Sequence, residues 1–157
     1  MTRAAMRRTV WLVAAGAMLA GAGLAGAEEG ARIEQVSGKS FEDTVKHLQW
    51  GFGGYGLTVV AQFDYAPVLD AAGALVRKSR MFEVTRRAWA RVVFQSNPAA
   101  ALDLPLRVHV YEREDGKTLV SYQRPSALLG THGADALTRL GEELDTALRD
   151  LVRVAIR

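Results

Sequence analysis

The chain has 157 residues, with 20 Lys or Arg, 17 Asp or Glu and no Cys, so disulfides, thiolate metal sites and thiol catalysis are excluded. Three of the basic residues, Arg3, Arg7 and Arg8, lie in an N-terminal leader, and the rest of the chain carries 17 charges of each sign. A domain of zero net charge lacks the surplus of Lys and Arg that binding to phosphates requires, and we expect no nucleic-acid partner.

The first 27 residues have the three parts of a secretory signal peptide. The three Arg residues precede an uncharged stretch over 9–27, which ends in Ala25-Gly26-Ala27. This pattern predicts Sec-type export with cleavage after Ala27, a periplasmic or secreted location, and no membrane association after cleavage. An uncleaved membrane anchor is the alternative, because the stretch is close to the ~20 apolar residues that span a bilayer.

Residues 28–157 have the length of a single domain and contain no linker or internal repeat. A short strand is expected over 31–37. Ser40 then has the character of a helix N-cap, and apolar residues follow it at helical spacing. This first helix ends in the glycine-rich segment 51–56.

The middle of the chain alternates between strand and helix patterns. Residues 57–64 alternate as a half-buried strand does, Pro67 opens a helical turn that ends at Ala72, and residues 81–84 form a third strand. Segment 86–95 fits either a helix capped by Thr85 or a strand, and we favour the helix.

Two further strands form a hairpin around Asp115-Gly116. A two-residue loop would place Val110 opposite Ser121 and mix the faces of the sheet. A three-residue loop with Gly116 left-handed instead pairs Val110 with Val120, and the hydrophobic pattern selects this register. The same register pairs Val108 with Tyr122, and it sets His109 opposite Ser121 on the other face.

A loop after Pro125 leads through residues 131–133 into a long amphipathic C-terminal helix. Its buried stripe is predicted to consist of Leu137, Leu140, Leu144, Leu148, Leu151 and Ala155. The order of elements predicts an α+β fold, with an antiparallel sheet of about five strands and helices packed mainly on one face.

Several segments together resemble one known family. They are Ser40–Val45, Tyr55–Val60, Asp64, Leu102–Val108, Val110–Glu112, Asp115–Lys117 and Val120–Tyr122. Their order and spacing resemble the bacterial and archaeal family called domain of unknown function 302, over nearly all of residues 28–157. The resemblance implies a compact α+β domain, a homodimer and no established activity.

The chain departs from that family at two segments. Thr85-Arg86-Arg87 and Leu104-Pro105-Leu106 stand where many members carry Cys, so a thiol-dependent role does not carry over. The spacing Gly51-x-Gly53-x-x-Gly56 matches a dinucleotide fingerprint, but here a helix precedes the glycines and a strand follows them, the reverse of what the motif needs. We predict no cofactor.

The outer face of the sheet and the loop beside it hold the candidate site. As ligand-binding or interface residues we select Arg107, His109, Tyr111, Ser121, Arg124 and His132. A solvated face without function is the alternative. The histidines lack metal-ligand spacing, so no metal site is predicted.

We assign no catalytic residue. A Ser121–His109 pair oriented by Asp64 or Asp103 would have the composition of a hydrolytic triad, but no nucleophile motif accompanies it. The sequence therefore predicts an exported, non-catalytic binding or interaction domain, homodimeric, with an unspecified small-molecule ligand. The alternative is a periplasmic hydrolase or metal-dependent enzyme that uses His109 and His132.

Overall fold

A computed structural model describes residues 31–73 and 77–157 of the chain. The signal peptide predicted over residues 1–27 lies outside the described residues. The strands are β1 (Arg32–Val36), β2 (Thr58–Asp64), β3 (Ser79–Thr85), β4 (Leu106–Glu112) and β5 (Thr118–Gln123). The α-helices are α1 (Phe41–Gly54), α2 (Ala66–Ala71), α3 (Arg87–Ser96), α4 (Pro125–Leu129) and α5 (Asp135–Ala155), and 3₁₀ helices cover Pro98–Asp103 and Gly130–His132.

The strands form one antiparallel sheet in the order β1-β5-β4-β3-β2. Helices α1 and α5 pack against each other, and α1 contacts β4. The core lies between these helices and one face of the sheet, where the rings of Phe52 and Phe82 meet edge to face at 5.3 Å. The predicted α+β class is confirmed.

Local signals fix the two helices that cover the sheet. The Ser40 hydroxyl accepts a hydrogen bond from the backbone N–H of Asp43, as expected of an N-cap. The six residues predicted to form the stripe of α5 are all buried.

Within residues 31–73 and 77–157, no helix has the length and apolar character needed to cross a membrane.

The β4–β5 hairpin has the register that the hydrophobic pattern selects. Val110 pairs with Val120, and His109 lies opposite Ser121. Gly116 is left-handed, with φ of 78°, a conformation that glycine adopts without the steric penalty of a Cβ. The loop prediction is therefore confirmed.

Three local predictions need correction. β2 is at the edge of the sheet and has an extra residue, Val60, which breaks the alternation, so nearly all of the strand is exposed rather than half-buried. Segment 87–96 is the favoured helix, but Arg86 precedes it and Thr85 still belongs to β3. The loop expected after Pro125 contains α4 and a 3₁₀ turn, because Pro125 occupies the first turn of a helix.

Candidate functional site

The face of the sheet opposite the helices carries the site, and it is generated by strand alternation. In β4, Leu106, Val108 and Val110 enter the core, so the residues between them project from the opposite face. Strand register arranges this outer face in three rows. They are Arg32, Gln123, Arg107 and Glu83; Glu34, Ser121, His109, Met81 and Phe63; and Val36, Leu119, Tyr111 and Ser79.

His109 occupies the centre of the middle row. Its Nε2 shares a hydrogen bond of 2.8 Å with Ser79 Oγ, and its ring stacks on Tyr111 at 5.0 Å and 21°. The ring of Tyr65 approaches from the side, with centroids 6.4 Å apart. Burial lowers the pKa of His109 below its ordinary value because a charged imidazolium is poorly solvated there. The ring is therefore a neutral, fixed part of the surface.

The side chain of Tyr111 is held by Glu34 of β1, which is separated from β4 by β5. Its hydroxyl donates to Glu34 Oε1 at 2.6 Å. Burial, and secondly this hydrogen bond to a carboxylate, raise the pKa of the Tyr111 phenol. Glu34 Oε1 also lies 3.8 Å from Arg32 Nη2. A continuous set of contacts thus joins β3, β4 and β1 across the sheet.

A shallow depression of about 280 Å³ opens beside His109. Its lining consists of Arg32, Met81, Arg107, His109, Ser121, Tyr122 and Gln123. Arg107 lies opposite Glu83 in the β3–β4 register, yet it forms no ion pair with any described residue. The depression therefore combines the guanidinium of Arg107 and the amide of Gln123 with Arg32, which lies 3.8 Å from Glu34, beside a wall of aromatic rings and a thioether.

The structure divides the predicted site residues into two groups. Arg107, His109, Tyr111 and Ser121 share the outer face. His132 belongs elsewhere, because its Nε2 lies 2.6 Å from Asp103 Oδ2.

Arg124 follows β5 directly and precedes α4, with its backbone N–H bonded to the carbonyl of Ala31. A second cavity, of about 530 Å³, is lined by Asp103 and also by Arg107 and Gln123. The His132–Asp103 pair therefore borders a neighbouring hollow and does not join the cluster around His109.

The triad considered from the sequence is not assembled. His109 is bonded to Ser79 and not to Ser121. Asp64 accepts from Arg80 Nη2 at 2.9 Å, and Asp103 is held by His132. What remains is a hydroxyl–imidazole pair without a carboxylate that orients the ring, among the residues that the structure describes.

Sequence reasoning missed Ser79, Glu34 and Arg32. Ser79 precedes the predicted start of β3 at residue 81, so its place across from Tyr111 could not be read. A predicted β3 that began two residues earlier would have placed Ser79 opposite Tyr111. Glu34 and Arg32 alternate with partly buried Ile33 and Gln35 in β1, but the pairing of β1 with β5 is not encoded locally.

The comparisons with known proteins concern the family and the fold. The family model described as domain of unknown function DUF302 matches residues 33–154. The chain belongs to this family. A crystal structure of an uncharacterized conserved protein DUF302 from Bacillus stearothermophilus superposes with a TM-score of 0.72 at 21% identity, over 80% of this chain and 98% of that chain. None of the curated proteins matches the chain.

In the part of the DUF302 chain that the structure describes, no group of three or more His, Asp or Glu side chains is arranged to hold a metal ion.

Proposed function

We propose that this DUF302 protein is an exported, periplasmic binding domain, non-catalytic and homodimeric, whose outer sheet face binds a small organic anion. The leader pattern supports export, and the family resemblance supports the homodimer. The observation that carries the ligand class is the row in which Arg32 and Arg107 flank Gln123 on adjacent strands at the depression.

Two residues of this row, Arg32 and Arg107, are cationic and one, Glu83 at its β3 end, is anionic, so the space between the two Arg residues favours an anion. Neighbouring strands lie about 4.8 Å apart, so the backbones of Arg32 and Arg107 are separated by roughly 10 Å across β5. Long guanidinium side chains from both sides reach a group above Gln123. A carboxylate or phosphate accepts paired hydrogen bonds from a guanidinium fork, which makes Arg the preferred side chain for such groups.

The rest of the depression suits the organic part of a ligand. Met81 and the neutral ring of His109 offer polarizable, weakly polar surface next to the cationic row. The hydroxyl of Ser121 and the amide of Gln123 provide further donors. The contacts of His109 and Tyr111 fix the wall before any ligand arrives, which lowers the entropic cost of binding.

A periplasmic hydrolase is the second candidate, and one observation favours it. Ser79 Oγ and His109 Nε2 are at the distance at which an imidazole can remove a hydroxyl proton. The binding role is preferred because the hydroxyl is already used to hold the ring and no carboxylate of the described residues orients Nδ1.

The decisive experiment compares two Arg variants. Native mass spectrometry of protein purified from its own periplasm identifies any retained ligand. Titration calorimetry then uses that ligand, or a panel of short carboxylates and inorganic phosphate. We expect Arg107→Gln to weaken binding by about ten- to a hundredfold, since it removes a charge-assisted contact. The matched control, Arg139→Gln on the exposed surface of α5, should bind as wild type does.

Two results would contradict the proposal. Equal affinities for the Arg107 and Arg139 variants would show that the cationic row does not bind the anion. Hydrolysis of an ester or amide by the wild-type protein, lost in Ser79→Ala, would establish the hydrolase instead.

A further inference from the structure

Strand β2 is an exposed and largely apolar edge. Among the described residues twelve large apolar side chains are exposed, and six of them lie between residues 59 and 69, so the exposed apolar surface is concentrated here. They are Val59, Val60, Phe63, Tyr65, Val68 and Leu69. An edge strand also presents unpaired backbone N–H and C=O groups, which makes it a template for another strand.

The two edges of the sheet are not equivalent. β1, at the other edge, is shorter and carries Arg32 and Glu34 among its five residues. Charges and short length are the usual protection of a free edge. β2 has seven residues and one charge, Asp64, at its end. Edge-to-edge association therefore favours β2.

We propose that a second copy of this chain pairs its β2 antiparallel with this β2, about a two-fold axis perpendicular to the sheet near Gln62. The inference rests on the homodimer included in the proposed function and names its interface. The two sheets become one continuous sheet. Because the axis is perpendicular to the sheet, both outer faces, with their His109 clusters, point to the same side.

The strand is self-complementary about that axis. Residues directly opposite each other share a face, and an axis at Gln62 sets Ala61 opposite Phe63, a small side chain against a large one. Each Asp64 faces a Val60, so no like charges meet. The bulge at Val60 lies two residues from the axis, so regular pairing covers residues 61–63 and the bulged Val60 borders Asp64 of the other copy.

A groove and a projecting helix lie at opposite ends of β2. Next to Val60, an apolar groove of about 340 Å³ is walled by Phe94 of α3 and by Leu104 and Pro105. At the other end, α2 has no buried residue, and Val68 is 65% exposed. A two-fold axis between the ends brings each α2 to the groove of the other copy. Because each copy offers both a groove and an exposed apolar helix, a second copy is the occupant we propose.

The charges at the two ends agree with this arrangement. Arg86 lies against Gly56 just before β2, and Arg87 follows it at the start of α3. Asp70 lies at the opposite end, where the carboxylate of Asp64 is already paired with Arg80 Nη2 at 2.9 Å. Antiparallel pairing brings Arg86 and Arg87 of one copy to the end of the other that carries Asp70, which favours this orientation of the encounter.

The test uses two pairs of Val→Asp variants in the exported protein. Val60→Asp and Val68→Asp should each weaken dimerisation at least about tenfold in analytical ultracentrifugation, since each places two carboxylates in the interface. The controls are Val36→Asp on the β1 edge and Val154→Asp on α5, where Val154 is 66% exposed. Both controls should dimerise as wild type does. The melting temperature of the separated monomer shows that Val68→Asp still folds.

Charge sign and hydrogen exchange test the register. Val60→Lys should dimerise more tightly than Val60→Asp, because a lysine there faces Asp64. The backbone amides of residues 58–64 that do not bond to β3 should exchange slowly in the wild-type dimer and faster in the Val68→Asp monomer. A monomeric wild type, a Val68→Asp dimer as tight as wild type, or dissociation by Val36→Asp would overturn the proposal.

The β2 interface and the anion site can be tested independently of each other. Calorimetry on monomeric Val68→Asp measures the outer face without the interface. A protein that binds the anion and still dimerises as wild type does when Val68 is replaced by Asp contradicts only the interface. An intact β2 dimer that binds no anion contradicts only the binding role.

Discussion

At the scale of single residues, the environment of His109 has a consequence for pH. Burial lowers the pKa of His109 in the folded state, so the unfolded chain takes up its proton first as pH falls. The unfolded state then binds more protons, and stability decreases with falling pH. The contribution of His109 is present above about pH 6.5 and is lost as pH falls through the lowered pKa.

We expect His109→Gln to flatten this dependence, because the amide can still hydrogen-bond to Ser79 and does not titrate. Melting temperatures of the two proteins, recorded from about pH 7.5 to about pH 5, should converge towards acid. Parallel curves would show that the ring is as easily protonated in the folded protein as in the unfolded chain.

Gly141 shows how closely two helices approach. A Cβ at this position of α5 would lie 2.6 Å from Ser126 Cα and 3.2 Å from the carbonyl oxygen of Pro125, both backbone atoms. Gly141→Ala must push α4 away, and we expect it to lower the free energy of unfolding by about 1–3 kcal/mol.

The matched control for Gly141→Ala is Gly53→Ala in α1, where nothing lies within 4 Å of the added carbon. Higher helix propensity should make this second variant neutral or more stable by up to about 1 kcal/mol. Urea unfolding measures both changes, and equal values would contradict the close contact.

The sequence pattern placed His109 and Tyr111 on one face of the sheet, as the structure has them. It did not predict their hydrogen-bond partners, Ser79 and Glu34. The hairpin register placed Ser121 opposite His109, which is right. The hydrogen bond goes to the diagonal neighbour Ser79 on the other adjacent strand, and diagonal contacts depend on the pairing of β3 with β4, whose strands are separated by α3. Distant pairing is not encoded in local pattern.

At the scale of elements, the C-terminal helix is the clearest success of pattern reading. Its apolar stripe is continuous and long, and period alone identifies the buried side. The prediction that β2 is half-buried was wrong because local pattern does not report the position of a strand in the sheet. The composition of β2 resembles a half-buried strand, but whether a strand is central or at an edge is decided by the order of the whole sheet.

Leu144 tests the helix. It is 3% exposed, so Leu144→Asp buries a carboxylate without a partner, at a cost of several kcal/mol. Against a total stability of about 5–15 kcal/mol, we expect loss of the cooperative thermal transition. Val154→Asp, at an exposed position of the same helix, should retain the transition. A Leu144→Asp protein that melts within a few degrees of wild type would contradict burial of the stripe.

At the scale of the whole molecule, we predict a signal peptide followed by one domain, and the two parts can be tested separately. We expect export to remove residues 1–27, because the charge and small-residue pattern fit signal peptidase. N-terminal sequencing of the exported protein should begin at Glu28. An intact Met1 in the membrane fraction would establish the anchor instead.

The alternation of β4 has a consequence for how this molecule can change over generations. Leu106, Val108 and Val110 hold the sheet to the helices, while the intervening Arg107, His109 and Tyr111 do not enter the core. A comprehensive substitution library screened for folding alone should show tolerance that rises and falls with period two along 106–111. If the outer face binds a ligand as proposed, descendants of this chain can change the ligand by single replacements at these positions while the core that folds the chain stays the same.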